Sequence, residues 1–339
     1  MNKIEKNTQV YFYNKISDLL KEARKSIVRT VNRTMVYTYF EIGRMIVEEE
    51  QNGKERAEYG KHLLEELSKR LKSEFGKGFS VDNLENMRKF YTAYSISETA
   101  SRKLDMLDFQ LGWSHYLKLI RIEDKAERKF YEIEATQNNW SLRELRRQCD
   151  SALYQRLALS KDKSAVKELS EKGQIIEKPK DALKDPYVLE FVGFPENKIY
   201  SETELEQKLI DKLEHFLLEL GKGYAFIARQ NRITIDEKHF RIDLVFYNRI
   251  LKSFVLIDLK IGELRHQDIG QLQMYVNYYD RFVKLEEENK TIGIILCQDK
   301  SETLVEITLP EDNEQIFASK YQTVLPSKED LKQLIENKE

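Results

Sequence analysis

The sequence predicts two domains, an all-α domain followed by a mixed α/β domain. Its 339 residues are more than one hydrophobic core of ordinary size would fill. Residues 8–158 contain no proline and carry apolar residues at three- and four-residue spacing, whereas strand-like runs alternate with helical segments after residue 184. We therefore place a helical domain at 1–158, a polar Lys/Glu-rich linker at 159–184 and an α/β domain at 185–339.

The overall composition indicates a folded, highly charged protein. Hydrophobic residues make up 41% of the chain and charged residues 34%. No run approaches the roughly 18 to 20 apolar residues of a membrane span, and the N-terminus lacks the apolar core of a secretory signal. Two distant cysteines argue against a disulfide framework or a zinc site. We expect a cytoplasmic protein with no membrane partner.

The charge is unevenly distributed along the chain. Residues 1–180 contain 35 Lys+Arg against 28 Asp+Glu, and the remainder contains 21 against 30. A basic first half suits a nucleic-acid partner, but an excess of this size also occurs on helical domains that bind no polyanion.

The most informative segment of the helical domain lies between Tyr59 and Tyr94. Leucines at helical spacing run into a glycine-bearing turn at 74–79, and Ser80 then provides an N-cap for a second apolar-faced helix. This outline predicts a helix-turn-helix or an ordinary αα-hairpin. The predicted outward residues of the second helix are Asp82, Asn83, Glu85, Asn86, Arg88 and Lys89. The Asn, Arg and Lys side chains suit DNA contacts, whereas DNA would repel the two acids.

The α/β domain is predicted to begin with a helix from Ser201 to Leu220, which Gly221 and Gly223 end. A second helix is predicted at 267–283. The predicted strands cover 225–230, 232–235, 240–247, 254–261, 291–297 and 321–325, and a short C-terminal helix follows them.

Two of these strands carry the residues with chemistry. Asp258 and Lys260 are two positions apart, so they share one face of their strand at about 7 Å spacing. A loop at 249–252 would place Asp243 of the preceding strand opposite Asp258, with about 5 Å between cross-strand neighbours. Two carboxylates that close repel each other unless a cation or a proton lies between them.

This arrangement suits a hard divalent cation that orients a phosphate and activates a water molecule. Lys260 would add a fixed positive charge on the same face. A plain salt bridge between Asp243 and Lys260 on a solvated sheet face is the alternative that the spacing leaves open.

These residues resemble the PD-(D/E)XK nuclease superfamily, which has a restriction-endonuclease-like α/β fold. The resemblance assigns Asp243 as the first acid, here preceded by Ile242 rather than proline, and Asp258-Leu259-Lys260 as the second acid and lysine. It implies that Asp243, Asp258 and the Leu259 carbonyl bind Mg²⁺ or Mn²⁺, and that Lys260 assists the attacking water.

Two further elements extend the resemblance. A Gln-x-x-x-Tyr pattern, Gln271 and Tyr275, lies on one face of the second predicted helix and is implied to support the active site and the phosphate. The superfamily's first helix usually supplies a glutamate, for which Glu206 is the candidate and Glu204 the substitute. An exposed helix acid is the alternative interpretation of Glu206.

Nearly the whole chain is similar to the YhcG-type family of bacterial proteins, through stretches such as YGKHLLEELSKRLKSEFGKGFSVDNLENMRKFY, LGWSHYLKLI, KDPYVLEFVG and FRIDLVFYNR. Asp258 is a departure, because glutamate is common at that position. The family implies a DNA nuclease connected with restriction or defence against mobile DNA. A non-catalytic DNA-binding or complex-forming subunit, or an RNA-directed nuclease, remains the alternative. A homodimer and protein partners of the N-terminal domain are left open.

Overall fold

The computed structural model describes residues 3–52, 57–95, 108–159, 163–195 and 199–331. It contains two compact units, Met1–Leu142 and Arg143–Glu339. The helices of the chain are α1 (Lys3–Asn52), α2 (Ala57–Phe75), α3 (Val81–Ser95), α4 (Trp113–Leu119), α5 (Lys125–Gln137), α6 (Leu142–Asp150), α7 (Leu153–Leu159), α8 (Lys163–Lys172), α9 (Glu202–Asp211), α10 (Leu213–Leu220), α11 (His266–Phe282) and α12 (Glu302–Thr308). The strands are β1 (Tyr187–Val188), β2 (Tyr224–Ile235), β3 (Lys238–Asn248), β4 (Ser253–Glu263), β5 (Ile292–Asp299) and β6 (Ile316–Gln322).

The first unit is helical, as predicted. The second half of α1 packs on α3, and Gly43 makes this approach possible, because a Cβ there would lie 2.1 Å from the Met87 carbonyl oxygen. Rings of Phe40, Phe90 and Phe109 meet beside this contact at centroid distances of 5.3 to 5.7 Å. Tight helix contact and aromatic packing therefore form the core of this unit.

The helix, turn, helix outline predicted for 59–94 corresponds to α2, the turn and α3. Ser80 caps α3 as expected, since its Oγ accepts from the Asn83 N–H at 3.2 Å. The expectation that the polar residues of α3 point freely outward holds for Asp82 and Lys89 only. Asn83 is half-buried and accepts from Trp113 Nε1 at 3.0 Å, and Arg88 pairs with Glu50 at 2.8 Å. A DNA-reading role of α3 stays a prediction.

The second unit is built on a six-stranded mixed sheet in the order β1-β6-β5-β4-β3-β2. Strands β2, β3 and β4 are antiparallel neighbours, whereas β4, β5, β6 and β1 are parallel. Helices α9 and α10 cover one face through Leu205, Leu209 and Phe216. Helix α11 covers the other through Leu272 and Val276. The predicted α/β class is therefore confirmed as a sheet between two helical layers.

Several predicted elements differ from the observed ones. The helix beginning at Ser201 is interrupted at Lys212, although Ser201 caps it and Gly221, at φ 108°, ends it as predicted. The two strands predicted at 225–235 are one continuous strand, β2, and the predicted strand 321–325 lies earlier, as β6. Strand β1 and helix α12 were not predicted. The predicted C-terminal helix begins at 328 and lies mostly outside the described residues.

Residues 143–159 belong to the second compact unit, although the sequence assigns them to the first domain. Arg147 and Arg156 contact the buried Glu219 of α10 at 3.1 and 2.5 Å, and Arg147 also pairs with Glu190. Charges buried this deeply are retained only when they are paired, which ties α6 and α7 to the sheet domain. The predicted division at 158 and the linker at 159–184, within which α8 is helical, stay predictions.

No helix in the described part of the chain combines the length and the apolarity that crossing a bilayer requires.

Candidate active site

The β3–β4 hairpin sets the position of the two acids. Its loop covers residues 249–252, as predicted, and pairing runs from Asn248 and Ser253 to Leu244 and Ile257. The next position outward in this register is occupied by Asp243 and Asp258. Asp258 is 1% exposed, and Asp243 is half-buried. Two carboxylates are thus held beside each other where the pairing of the interior strands β3 and β4 ends.

Each acid has distinct partners. Asp243 accepts from the Leu259 N–H through Oδ2 at 2.8 Å. Asp258 Oδ2 is buried and lies 2.8 Å from Lys260 Nζ, with which it forms an ion pair. The salt bridge left open by the sequence therefore exists, but it joins Lys260 to Asp258 rather than to Asp243, and it is not on a solvated face.

Burial and mutual repulsion determine the protonation of this cluster. Burial and then the charge of Asp243 raise the pKa of Asp258 to about 7, against the opposing effect of Lys260. Burial also raises the pKa of Asp243, although the Leu259 N–H and Lys260 oppose it. Burial lowers the pKa of Lys260, but the carboxylates around it, Asp258 foremost, raise it overall. Lys260 is thus held as a cation between acids whose joint ionisation is unfavourable.

Glu206 of α9 reaches the acids through a glutamine that sequence reasoning missed. The Gln230 side-chain amide donates to Glu206 Oε2 and, at 3.1 Å, to Asp243 Oδ1. Glu206 is 3% exposed, and Arg229 Nε lies 3.0 Å from its other oxygen. Its interpretation as an exposed helix acid is therefore wrong.

Glu204, the substitute candidate for the glutamate of the first helix, caps the N-terminus of α9 instead. Its carboxylate accepts from the Ser201 N–H at 2.9 Å while Ser201 Oγ accepts from the Glu204 N–H, which forms the capping box of α9. Glu204 is exposed. The geometry thus favours Glu206 over Glu204 as the acid of the first helix.

Gln230 occupies an unusual backbone conformation inside a strand. Its φ of 46° lies in the left-handed region, which side chains other than glycine rarely adopt. It lies opposite Asp243 in the β2–β3 register, between the pairs Arg229–Leu244 and Asn231–Ile242. The sequence indicates this irregularity only through the break between the strands predicted at 225–230 and 232–235, which falls next to Gln230.

The Gln271 and Tyr275 pair lies on one face of α11, as predicted. Gln271 Nε2 donates to the Tyr275 hydroxyl at 2.6 Å, and the hydroxyl donates to the Arg241 carbonyl at 3.1 Å. Tyr275 is buried, and its pKa is raised by burial first and also by the charges of Asp258 and Asp243. The pair therefore anchors β3 two residues before Asp243.

The donor set fits a cation with a few protein ligands. In the described ranges, no group of three or more His, Cys, Asp and Glu side chains is arranged to hold a metal ion. Asp258 lies beside Asp243, and its Oδ2 is buried without a hydrogen bond. These two carboxylates suit Mg²⁺, which binds one or two carboxylates in proteins and keeps several waters. Glu206 does not join the two aspartates directly, since Gln230 lies between them.

Comparison with known families covers both units. Residues 180–336 match the model of the YhcG PDDEXK nuclease domain, and residues 15–156 match the DUF1016 N-terminal domain. The chain is 37% identical over 348 residues to the Escherichia coli (strain K12) protein named "Putative nuclease YhcG", with 94% of this chain and 92% of the relative covered.

Two solved structures share a more distant likeness. A repair endonuclease from Pyrococcus abyssi is 16% identical, with 38% of this chain and 50% of that chain covered at a TM-score of 0.27. The EndoMS–dsDNA2 complex is 15% identical, with 40% and 51% covered at a TM-score of 0.26. The chain spans about half the length of these two chains.

Proposed function

Because this chain belongs to the YhcG family and carries its PD-(D/E)XK nuclease domain, we propose that it hydrolyses DNA phosphodiester bonds with the help of Mg²⁺ or Mn²⁺. The observation that carries this proposal is the buried pair of Asp243 and Asp258 with Lys260 against it. Burial raises the pKa of both carboxylates and so opposes their ionisation. A structural role alone does not explain why two such carboxylates lie next to each other.

The cation would be held by Asp243, Asp258 and the Leu259 backbone carbonyl. When bound, it would polarise the scissile phosphate and lower the pKa of an attacking water. Asp243 is already oriented by the Leu259 N–H, and Asp258 Oδ2 has an ion pair with Lys260 but no hydrogen bond. The site therefore offers ligands that need little rearrangement.

Lys260 acts as a cation in this proposal. The carboxylates around Lys260, Asp258 foremost, raise its pKa overall and so favour the ammonium form, which can donate hydrogen bonds. From β4 it can orient the attacking water or neutralise charge that develops on the phosphate oxygens. Its present ion pair with Asp258 would give way when a cation shares that carboxylate.

Three further side chains position the acids. The Gln230 amide donates to both Asp243 and Glu206, and Glu206 stays a candidate metal ligand. Tyr275 and Gln271 fix the backbone of β3. Supporting hydrogen bonds of this kind commonly change metal affinity or activity by about 10- to 100-fold when they are removed.

We assign selection of the substrate or of a protein partner to the N-terminal domain, and the family resemblance suggests restriction or defence as the setting. The resemblance also motivates a cytoplasmic location. Arg88 and Asn83 are engaged within the helical unit, so an α3 contact with DNA would rest on exposed residues such as Lys89.

The test compares wild type with Lys260→Ala on supercoiled, linear, branched and single-stranded DNA and on RNA, each with Mg²⁺, Mn²⁺ or EDTA. We expect metal-dependent DNA cleavage that the substitution reduces at least about 100-fold, since the lost charge acts on the reacting phosphate. Lys172→Ala is the matched control, because Lys172 also pairs with an acid at 2.8 Å, but on an exposed surface.

The alternatives predict different results. DNA binding without cleavage in either metal would support the non-catalytic subunit and contradict the proposal. Cleavage of RNA but not DNA would retain the metal site and overturn the substrate. Equal loss of activity in Lys172→Ala would show that the assay reports stability rather than catalysis.

A further inference from the structure

The first half of α1 exposes an unusual amount of apolar surface. Every described side chain from 11 to 32 is exposed except that of Ser17. Ten large apolar side chains are among the exposed residues of this region: Tyr11, Phe12, Tyr13, Ile16, Leu19, Leu20, Ile27, Val28, Val31 and Met35. All but Tyr11, Val28 and Met35 lie within a sector of about 120° around the helix and present on the order of 700–800 Å², which exceeds the roughly 300–600 Å² of the largest apolar patch on a typical monomer.

These side chains are ordered along the helix. Tyr13, Ile16, Leu20, Ala23 and Ile27 follow one another at intervals of three, four, three and four residues. This 3.5-residue period is the seam of a two-helix coiled coil, and we call these five residues the α1 seam. Phe12, Leu19 and Val31 flank the seam and widen its apolar face.

Most charged residues of this region lie away from the seam, whereas Arg24 flanks it next to Leu20 and Ile27 on the helix surface. At 3.6 residues per turn, Asp18, Glu22 and Arg29 fall on the opposite side of α1. Pairing along the seam would therefore leave these charges in water, where they need no partner.

The second half of α1 buries the other side of the same helix. Val36, Phe40, Gly43 and Ile46 are buried in the first compact unit. Leu20 and Val36 are 16 residues apart, which places them about 160° apart around a regular helix. The apolar face thus changes sides near residue 33, and the core of the unit does not use the α1 seam.

We propose that the α1 seam pairs with the α1 seam of a second copy of this chain, so that the first half of α1 is a dimerisation helix. The available surface is comparable to the roughly 800 Å² that each partner buries in a stable interface. Apolar residues at heptad spacing pack against a second helix with the same spacing, whereas binding to a flat lipid surface does not require this spacing. A two-fold pair uses the same patch on both partners, as a single self-complementary seam requires. This inference is independent of the proposed nuclease activity.

The test measures the mass of the full-length protein by sedimentation velocity and light scattering across a wide concentration range. Wild type is compared with Leu20→Glu/Ile27→Glu, which introduces two charges into the seam. Asn14→Glu/Asn32→Glu is the matched control, because both asparagines are exposed and lie on the other side of α1. We expect dimers for wild type and control, and a monomer of unchanged circular dichroism for the seam variant.

Other outcomes overturn the proposal. A monomeric wild type would do so, as would a seam variant that remains dimeric with the affinity of wild type. A monomeric wild type that co-sediments with vesicles of anionic phospholipid, and a seam variant that does not, would assign the α1 seam to a lipid surface instead.

Discussion

Gln230 donates a 3.1 Å hydrogen bond to Asp243 from a backbone with a φ of 46°. The same amide also donates to Glu206. A left-handed conformation at a residue other than glycine costs on the order of 1–3 kcal/mol and persists where its surroundings enforce it. The strain is found where it places one amide between two acids, which suggests that it serves the site rather than the sheet.

Replacing Gln230 by glycine should separate strain from function. Gln230→Gly keeps the left-handed backbone available and removes the amide, so we expect the free energy of unfolding to change by no more than about 1 kcal/mol. Metal affinity, measured by titration calorimetry, should fall about 10- to 100-fold. Gln273→Ala, which removes an exposed glutamine of α11, is the control. An unchanged metal affinity in Gln230→Gly would reject a positioning role.

Divalent metal should stabilise the folded protein through Asp258. Saturation at about 100 times the dissociation constant stabilises the native state by roughly 2.7 kcal/mol, which corresponds to a Tm increase of several degrees for a domain of this size. We expect this increase in wild type on addition of MgCl₂ or MnCl₂, and none in Asp258→Asn. Thermal denaturation with metal or EDTA measures it.

A matched aspartate provides the control for that experiment. Asp299 also pairs with a lysine, Lys320 at 2.6 Å, but on the surface. Asp299→Asn should retain the metal-induced increase in Tm. A metal-induced increase of wild-type size in Asp258→Asn would place the cation elsewhere.

The sequence predicted those parts of the site that depend on strand alternation. Asp258 and Lys260 share a face because they are two residues apart, and a four-residue loop sets Asp243 opposite Asp258. The Gln271–Tyr275 contact follows in the same way from helical spacing. These contacts join residues that are close in the sequence, so residue spacing alone predicts them.

The unpredicted parts depend on contacts between distant segments. Gln230 reaches the site only because β2 adopts a left-handed residue beside α9. β1 is two residues long, too short to show alternation, and it forms by pairing with β6 at the far end of the domain sequence. The interruption at Lys212 carries no glycine or proline to mark it.

Tyr275 should contribute to stability and activity through its hydroxyl. Tyr275→Phe removes a buried donor to the Arg241 carbonyl and an acceptor for Gln271, and leaves the ring in its place. We expect a loss of about 1 kcal/mol in urea unfolding, because the part-buried hydrogen bond to the Arg241 carbonyl is lost. Cleavage should fall more than stability alone explains, since β3 carries Asp243. Tyr278→Phe, at a half-buried ring of the same helix, should change neither.

Glu219 is buried among cations in the second unit. Arg156 Nη1 lies 2.5 Å from its carboxylate, Arg147 lies at 3.1 Å, and the Lys184 ammonium donates to its backbone carbonyl. Burial alone would raise the pKa of Glu219, but the charges of Arg156, Lys184 and Arg147 lower it to about 2. The acid therefore remains ionised in the native state at pH values where an unfolded glutamate is protonated.

Glu219→Gln should cost about 3–5 kcal/mol at neutral pH, because it leaves Arg156 buried without its counter-charge. The change of this stabilisation with pH follows from the difference in the pKa of Glu219 between the folded and unfolded states. Between about pH 4.3 and pH 2 the unfolded wild type binds the proton that the native state excludes, so the stabilisation is present above this window and is lost as the pH falls through it. The free energies of unfolding of wild type and Glu219→Gln, measured in urea, should therefore converge toward pH 2.

Glu168→Gln is the control, because it removes the exposed partner of Lys172, and it should cost less than about 1 kcal/mol. A difference between wild type and Glu219→Gln that does not change with pH would show that the residue stabilises the fold by shape rather than by charge.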